Sequence, residues 1–529
     1  MHPCLQVAEI TSCVCEMILD YDDLKPASRE DINTVASFAR TCRAIYAPAN
    51  HALWGTVTHL AIFVVCTMPK GLWKRSRVKD NEEVQYTIAA HPTRNIKPED
   101  LDRIRFYAPF IHTLYIGLNW SVELSQRGYA SFLKAAGPAF FPNLRALAWN
   151  ADYVDVDYME GLLTPSIRNM HFYTDSLDEN DVAVMREVRQ QCPQIQRFRY
   201  AATKGTEFAF ACAEELFDIA FEYDLVAYST AFLNEAKIPF LAARKNLRKL
   251  CVDVDLFCLG AAMPTGAPLY SLPPNSFGTI QELILHCPLP IATVMDLLTK
   301  SSFTDLRALT LRPFPLQPQD FVNIIMAVPT AVEHAELLER LDIFEGSPSS
   351  WQDVLEATLN EKVLKPLLRF KSLTHLVMCG AAGIDLTERG IQRMAKAWPN
   401  LRTLYIYART RPYHDVHLRL RHLHHLATGC PKLERLALLV NAEEEPILSS
   451  EIPTPDFEHP LKHLGVSVAP IDQADVVAQI IHMLFPKLES LSWRGSSRNE
   501  KWNQRWENVV YDLDVEQVAK KKWAEYLDL

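Results

Sequence analysis

A six-residue pattern recurs along most of this chain: an apolar residue, any two residues, an apolar residue, any one residue and a final apolar residue. Its clear copies begin at Ile111, Leu144, Ile195, Leu247, Ile280, Leu306, Leu373, Leu401, Leu433 and Leu488, and weaker copies begin at Ile167, Leu338 and Leu461. Neighbouring copies start mostly 23 to 35 residues apart. Because one such unit cannot bury its apolar face alone, this period predicts stacked repeats that share a continuous core.

Proline marks the boundary before many of the copies. It is the second residue of the pairs Phe141-Pro142, Cys192-Pro193, Trp398-Pro399, Cys430-Pro431 and Phe485-Pro486. Proline ends the preceding helix, and a short strand then points alternate side chains to one side. The predicted fold class is therefore α/β: a solenoid with a curved parallel sheet and outer helices. The alternative, a doubly wound α/β sheet, is disfavoured because such sheets rarely need so many strands.

One step between copies is longer than the others. It runs from Ile195 to Leu247. It predicts either a degenerate repeat or an insertion.

Three short helices are predicted before the repeats. The first two are predicted from apolar residues at helical spacing, namely Ile10, Val14, Met17 and Ile18, and then Val35, Phe38, Ala39 and Cys42. Asp31 or Asn33 is predicted to cap the second helix, and Pro48 to begin a third that carries Leu53 and Trp54. Helices this short bury little surface alone, so their apolar residues need a partner, either the rest of the chain or another protein.

The segments LQVAEI…VCEMI and FARTCRAIYAPANHALW resemble the F-box. The resemblance implies docking on a Skp-type adaptor and, through it, on a cullin–RING ubiquitin ligase. Carried over to this chain, it implies adaptor contacts by Val7, Ile10, Val14, Phe38, Cys42, Leu53 and Trp54. The repeats resemble the cysteine-type leucine-rich repeats common in F-box proteins, and the layout resembles the large F-box families of basidiomycete fungi. The alternative interpretation makes the three helices a cap on the repeat array.

Four segments are predicted: an F-box-like helical motif at 1–60, a connecting segment at 61–105, a leucine-rich-repeat solenoid at 106–498 and a C-terminal helical cap at 499–529. The last segment is rich in tryptophan and lysine and contains Trp502, Trp506 and Trp523. It is predicted to close the end of the solenoid, and a partner-binding tail is the alternative.

Composition narrows the class of protein further. The chain has 529 residues and a formal net charge of −10, which speaks against nucleic acid as a partner because nucleic-acid binding usually needs a basic face. The basic cluster from Lys70 to Lys79 is predicted to be a solvated loop.

The apolar run from Leu60 to Met68 is too short for the ~20 residues that cross a bilayer, so no membrane contact is expected. With no secretory signal, the twelve cysteines are expected to be reduced thiols in the cytoplasm or nucleus.

No motif of a known catalytic site is present in the sequence. It lacks G-x-x-x-x-G-K-[ST], G-x-G-x-x-G, H-E-x-x-H and G-x-S-x-G, so no enzymatic activity, cofactor or metal is expected. A histidine-rich stretch contains His414, His417, His422, His424 and His425. It is interpreted as a repeat helix with a polar outer face, packed through Leu418, Leu420 and Leu423. A metal site is the disfavoured alternative, because no cysteine or carboxylate set completes a ligand shell.

In leucine-rich strands, the residues between the ladder leucines face away from the core. These outward-facing residues are predicted to form a target-binding surface. It includes Tyr115, Arg197, Arg199, Lys249, Tyr405, Arg435 and Arg494, and the carboxylates Glu282 and Asp342 lie on it. Tyrosine and arginine commonly anchor interfaces. The predicted function is therefore substrate recognition for a Skp–cullin–F-box type ubiquitin ligase, with an acidic or phosphorylated protein as target. The alternatives are a leucine-rich binding scaffold with no ligase and an enzyme whose site has no recognised motif.

Overall fold

The computed structural model of this chain describes residues 7–19, 28–79, 86–117, 122–175, 177–202, 207–230, 235–253, 272–273, 276–289, 291–313, 318–344, 358–380, 383–408, 416–443, 452–453, 455–466, 469–493 and 500–517. Contacts divide the chain into two compact units. The first is Met1–Phe232 with Phe257–Leu259, and the second is Leu233–Leu256 with Gly260–Leu529.

The first unit begins with helices and continues with alternating strands and helices. Its helices are α1 (Ala8–Leu19), α2 (Arg29–Ala39), α3 (Arg43–Gly55), α4 (Leu60–Thr67), α5 (Asp102–Tyr107), α6 (Gln126–Ala136), α7 (Glu179–Gln191) and α8 (Glu207–Phe221). Its strands are β1 (Thr56–Val57), β2 (Trp73–Lys79), β3 (Tyr86–Pro92), β4 (Thr113–Ile116), β5 (Val122–Leu124), β6 (Ala146–Asn150), β7 (Asn169–Thr174), β8 (Arg197–Ala202) and β9 (Ala227–Thr230).

A parallel sheet in the order β1-β4-β6-β7-β8-β9 forms the body of the first unit. Each strand repeats the apolar spacing of its neighbour, so equivalent residues stand side by side. One such row is Leu114, Leu147, Met170, Phe198 and Tyr228, and all five are buried. We call the sheet face that carries this row the ladder face, and the other the opposite face.

The second unit repeats the same plan. Its helices are α9 (Ile238–Ala242), α10 (Ile291–Lys300), α11 (Pro318–Ala331), α12 (Glu388–Ala397), α13 (His424–Gly429), α14 (Ala474–Leu484) and α15 (Glu500–Leu513). Its strands are β10 (Lys249–Asp253), β11 (Glu282–Leu289), β12 (Ala308–Pro313), β13 (Arg340–Phe344), β14 (Thr358–Asn360), β15 (His375–Gly380), β16 (Gly383–Asp385), β17 (Thr403–Ala408), β18 (Arg435–Leu438), β19 (His463–Val466), β20 (Ser490–Ser492) and β21 (Glu516–Gln517).

The second unit also has a parallel sheet, in the order β10-β11-β12-β13-β15-β17-β18-β19-β20-β21. Its ladder face carries a row of nine buried leucines at Leu250, Leu283, Leu309, Leu341, Leu376, Leu404, Leu436, Leu464 and Leu491. Each unit therefore has the predicted α/β class, with a parallel strand from each repeat and helices between the strands.

The weaker copies of the pattern form strands as well. Those starting at Ile167, Leu338 and Leu461 lead into β7, β13 and β19. The long step from Ile195 to Leu247 contains β9, which is a degenerate repeat. Tyr228 takes the ladder position there and Thr230 the next one, so the apolar pattern is hidden although both side chains are buried.

Four of the five predicted helix ends before proline are confirmed, whereas α6 already ends at Ala136, before the pair Phe141-Pro142. Helices α7, α12, α13 and α14 each end at the residue directly before the predicted pair. The first residue of the pair is then the C-cap: Cys192, Trp398, Cys430 or Phe485. All four cap side chains are buried.

Several local predictions were wrong. Ser28 caps α2, because its hydroxyl accepts from the Asp31 amide at 3.1 Å, in place of Asp31 or Asn33. Helix α3 begins at Arg43, and Pro48 lies inside it. The basic cluster that was expected to be a loop forms β2, which pairs antiparallel with β3.

No helix in the part of the chain described above is long and apolar enough to cross a membrane.

Candidate protein-binding surfaces

Helix α1 has two apolar faces, and among the described residues one is buried while the other is exposed. Cys15 and Leu19 are buried with Val35, Ala39 and Ile45 in the core that joins α1, α2 and α3. On the other face, Val7 just before the helix is 43% exposed, and Ile10 and Met17 are 42% and 75% exposed. Residues spaced by three, four and three lie along one side of a helix, so these residues form a stripe that also includes the half-buried Val14. We call this stripe the α1 apolar face.

The residues carried over from the F-box resemblance thus separate into two groups. Val7, Ile10 and Val14 lie on the α1 apolar face. Phe38, Cys42 and Leu53 are partly buried and pack against the three-helix core. The second group therefore holds the motif together, and its role at an adaptor remains a prediction.

Trp54 packs against the following segment of its own chain. The centroid of its ring lies 5.6 Å from that of Phe63 and 4.6 Å from that of Tyr107. This contact ties the three-helix motif to α4 and α5. A change at Trp54 is therefore expected to act on packing as much as on any partner.

Exposed apolar side chains on the other two helices were not predicted from the sequence. Ile32 of α2 is 40% exposed and Tyr46 of α3 is 49% exposed. Ile32 was missed because it stands between the polar residues Asp31 and Asn33, and Tyr46 because it lies in a mostly apolar segment. Ile32 lies three residues before Val35 and seven before Ala39, so the helical spacing could have placed it on the apolar side of α2.

In the first unit, the predicted target-binding residues lie on the opposite face of the sheet. Tyr115 is half-buried on β4, and β8 carries the exposed Arg197 and the half-buried Arg199. The Arg199 guanidinium carbon lies 5.8 Å from the centroid of the Tyr173 ring on β7. These residues therefore belong to one surface, formed by neighbouring parallel strands.

In the second unit, two cations on the opposite face lie next to carboxylates. The Lys249 ammonium is 2.6 Å from Glu282, and Arg340 Nε is 2.5 Å from Asp342 Oδ2. Asp342 is fully buried, and burial raises the pKa of its carboxyl although Arg340 and Thr310 act in the other direction. The charges of Lys249 and Arg340 are therefore compensated within the chain.

Tyr405 does not lie on the surface as predicted. It is 1% exposed and packs with Phe344, Val377, Cys379 and Ala437 in an apolar cluster on the opposite face. The prediction was wrong because the alternation of a strand assigns a face to a residue but does not say whether that face is covered. Arg435 is half-buried on β18, and Arg494 lies outside the described residues.

The leucines of the histidine-rich stretch pack inward as interpreted, but the stretch is not one α-helix. Leu418 lies outside any helix, Leu420–Leu423 forms a 3-10 turn and α13 begins only at His424. Leu418, Leu420 and Leu423 are fully buried. His422 Nε2 and His425 Nε2 lie 3.7 and 3.3 Å from the Glu388 carboxylate at the start of α12. Burial lowers the pKa of His422, so its contact with Glu388 at neutral pH joins a neutral ring to a carboxylate. His414 lies outside the described residues.

Potential metal ligands do not converge in the described part of the chain. No group of three or more histidine, cysteine, aspartate or glutamate side chains there is arranged to hold a metal ion. Cys192 and Cys430 are buried, and burial raises the pKa of their thiols to about 11 and about 12, which makes both poor nucleophiles at neutral pH.

A groove of about 570 Å³ beside α2 is lined by Glu30, Asn33, Thr34 and Ser37. Among these residues, Glu30 is the one carboxylate, and there is no histidine, lysine or arginine.

Comparison with known proteins gives little further help. No protein-family model matches the chain, and no curated protein matches it. Among solved structures, it is similar to the crystal structure of the Rad7 and Elc1 complex in yeast, with 12% sequence identity over 98% of this chain and 94% of that chain. The TM-score is 0.40, which is a loose likeness, so the residues of this chain have to carry any functional conclusion.

Proposed function

We propose that this chain is a substrate receptor of a Skp–cullin–F-box type ubiquitin ligase, in which the α1 apolar face binds the adaptor and the repeat sheets hold a target protein. The observation that carries the proposal is the α1 apolar face itself. It exposes Val7, Ile10 and Met17 at the start of a three-helix motif that resembles the F-box and precedes leucine-rich repeats.

Exposed apolar side chains become favourable contacts once a partner covers them. Fully burying a side chain the size of isoleucine or methionine is worth roughly 1.5–3 kcal/mol. Three such residues in one stripe match the way in which a helix face docks into an apolar groove. The opposite side of α1 is already occupied by Cys15 and Leu19 in the core, so docking would leave the motif intact.

In this proposal the chain performs no chemistry. It holds a target near a ubiquitin-loaded enzyme and so raises the effective concentration of the target at that enzyme. A ligase receptor of this kind would act in the cytoplasm or nucleus.

The test is co-purification of the full chain with a Skp-type adaptor and a cullin. The double variant Ile10→Asp, Met17→Asp should abolish adaptor recovery, because two charges would have to be desolvated in the interface. Met326→Asp is the matched control, since Met326 on α11 is 51% exposed and lies in the second unit. It should recover the adaptor like the wild type.

Trp54→Ala separates packing from docking. Its ring contacts with Phe63 and Tyr107 predict a lower free energy of unfolding by about 2 kcal/mol. Adaptor recovery per folded molecule should stay near that of the wild type. Complete loss of recovery by a folded Trp54→Ala protein would move the docking site to the end of α3.

The second candidate is a leucine-rich binding scaffold whose N-terminal helices are only a cap. The packing of Trp54 on α4 and α5 favours this alternative, since a cap must be fastened to the array. No adaptor recovered by a soluble, folded wild type would overturn the ligase proposal and leave the scaffold.

A further inference from the structure

The opposite face of the first-unit sheet carries no carboxylate at any strand position from β4 to β9. By the pairing register and the alternation of each strand, its residues are Thr113, Tyr115, Ala146, Ala148, Asn150, Asn169, His171, Tyr173, Arg197, Arg199, Ala201, Ala227 and Ser229. Two arginines and a histidine thus stand on a face without aspartate or glutamate, in a chain whose net charge is −10.

Arg197 and Arg199 are close together and uncompensated. They are two residues apart on β8, so their Cα atoms are roughly 7 Å apart on the same face. Neither forms an ion pair with a carboxylate among the described residues. Arg199 Nε is buried and has no hydrogen-bond partner there, while its guanidinium lies beside the Tyr173 ring.

The second unit provides the contrast. On its opposite face, Lys249 is paired with Glu282 and Arg340 with Asp342. Cations that already have a carboxylate offer little to an external anion, because binding would have to displace it. Arg197 and Arg199 have no such carboxylate among the described residues, so they remain available to an external anion.

We propose that the opposite face of the first-unit sheet binds a phosphorylated segment of the target, with the phosphate on Arg197 and Arg199. A phosphate carries close to two negative charges and three acceptor oxygens, and the planar fork of an arginine side chain matches it. Tyr115 and His171 lie in the same row as Arg199 and would contact the flanking residues. The inference rests on the proposed function only in taking the segment as part of a captured target.

The test uses the full chain without adaptor or cullin, so its result does not depend on ligase assembly. The probe is a fluorescein-labelled peptide library with one fixed phosphoserine between randomised positions, beside the same library with serine. Fluorescence polarisation should show tighter binding of the phosphoserine library by about tenfold or more, weakening as salt is added. Arg197→Glu, Arg199→Glu should remove that preference.

Arg307→Glu, Arg402→Glu is the matched control. It makes the same change of charge at two exposed arginines of the second unit, which lie near Glu339 and Glu434. It should leave the preference intact, and equal thermal unfolding midpoints would show that the Arg197, Arg199 variant is folded.

Two outcomes would overturn the proposal. In one, the wild type binds both libraries equally, or the Arg197→Glu, Arg199→Glu protein keeps the phosphoserine preference. In the other, a random single-stranded 20-nucleotide RNA binds the wild type more tightly than the phosphoserine library and is lost in the same variant, which would assign the face to nucleic acid.

Discussion

At the scale of single residues, His459 shows how a buried polar group is fixed by its partners. Its side chain is fully buried; Nε2 lies 3.1 Å from the Cys430 carbonyl, and the Leu461 amide donates to Nδ1 at 3.2 Å. The ring stands between Phe457 and Phe485. Nε2 must therefore donate and Nδ1 accept, which is possible only for the neutral ring.

This arrangement predicts a loss of stability in mild acid. Burial lowers the pKa of His459 to about 4 from 6.5, so the unfolded chain binds the proton more readily between these values. The contribution of neutral His459 to the free energy of unfolding is fully present above pH 6.5 and is lost as the pH falls towards 4. At pH 5 the loss amounts to about 2 kcal/mol. Urea unfolding of the wild type and of His459→Gln at pH 7.5 and pH 5.0 measures it.

Glutamine keeps a donor and an acceptor but does not titrate, so His459→Gln should lose about 2 kcal/mol less than the wild type between the two pH values. Other histidines also titrate over this range, and only the difference between the two proteins reports on His459. Equal losses in both proteins would contradict the prediction.

The helix faces of the N-terminal motif could be predicted only in part. Apolar spacing correctly placed Ile10, Val14 and Met17 on one stripe of α1. It also assigned Ile18 to that stripe, whereas Ile18 packs against the three-helix core. Both faces of α1 are apolar, and periodicity alone does not say which one the rest of the chain covers.

At the scale of elements, the ends of the helices were the most predictable feature. Proline removes a backbone donor and disfavours the helical region for the residue before it, so four of the five pairs marked a helix end. Cys192 and Cys430 add a second contact, because their thiols reach the carbonyls of Thr164 and Trp398 in the preceding repeat at 3.2 and 3.4 Å. Their place before proline was visible in the sequence, and these contacts were not.

The packing of α13 on α12 depends on a glycine. A Cβ added to Gly429 would lie 2.8 Å from the Ala395 Cβ and 3.3 Å from the Ala395 carbonyl atoms. Neither side chain could rotate away, so the helices would have to separate. Gly429→Ala should therefore lower the free energy of unfolding by about 1–2 kcal/mol, although alanine is the better helix former.

Gly161→Ala is the control for that substitution. A Cβ at Gly161 would meet only the Leu133 side chain, at an ordinary distance of 3.6 Å. Urea unfolding of both variants should show a loss for Gly429→Ala and almost none for Gly161→Ala. Equal stability of the two would mean that α12 and α13 can separate without cost.

At the scale of the whole molecule, the repeat period could be predicted and the ends of the sheets could not. Stacked repeats translate one spacing along the chain, so even weak copies such as that at Leu338 were found. Strands β1 and β21 have two residues each and carry no pattern. The one long step in the pattern, from Ile195 to Leu247, spans the boundary between the two units. The step is long because the repeat within it has the buried Tyr228 in place of leucine and was not recognised.

The two proposed surfaces should act independently. Helix α1 packs against α2 and α3, whereas β8 pairs with β7 and β9, so they rest on different elements. Effects at sites without shared partners usually add. Ile10→Asp, Met17→Asp should therefore keep the phosphoserine preference, and Arg197→Glu, Arg199→Glu should keep adaptor recovery, each to within about twofold of the wild type.

Measuring both readouts on all four proteins, including the quadruple variant, tests this independence. The quadruple variant should lose both activities by the amounts seen in the two double variants. Suppose instead that the α1 substitutions weaken phosphoserine binding severalfold in a protein with an unchanged unfolding midpoint. Adaptor docking and target capture would then be coupled through the first unit, and linkage would require a bound adaptor to change target affinity by the same factor as a bound target changes adaptor affinity.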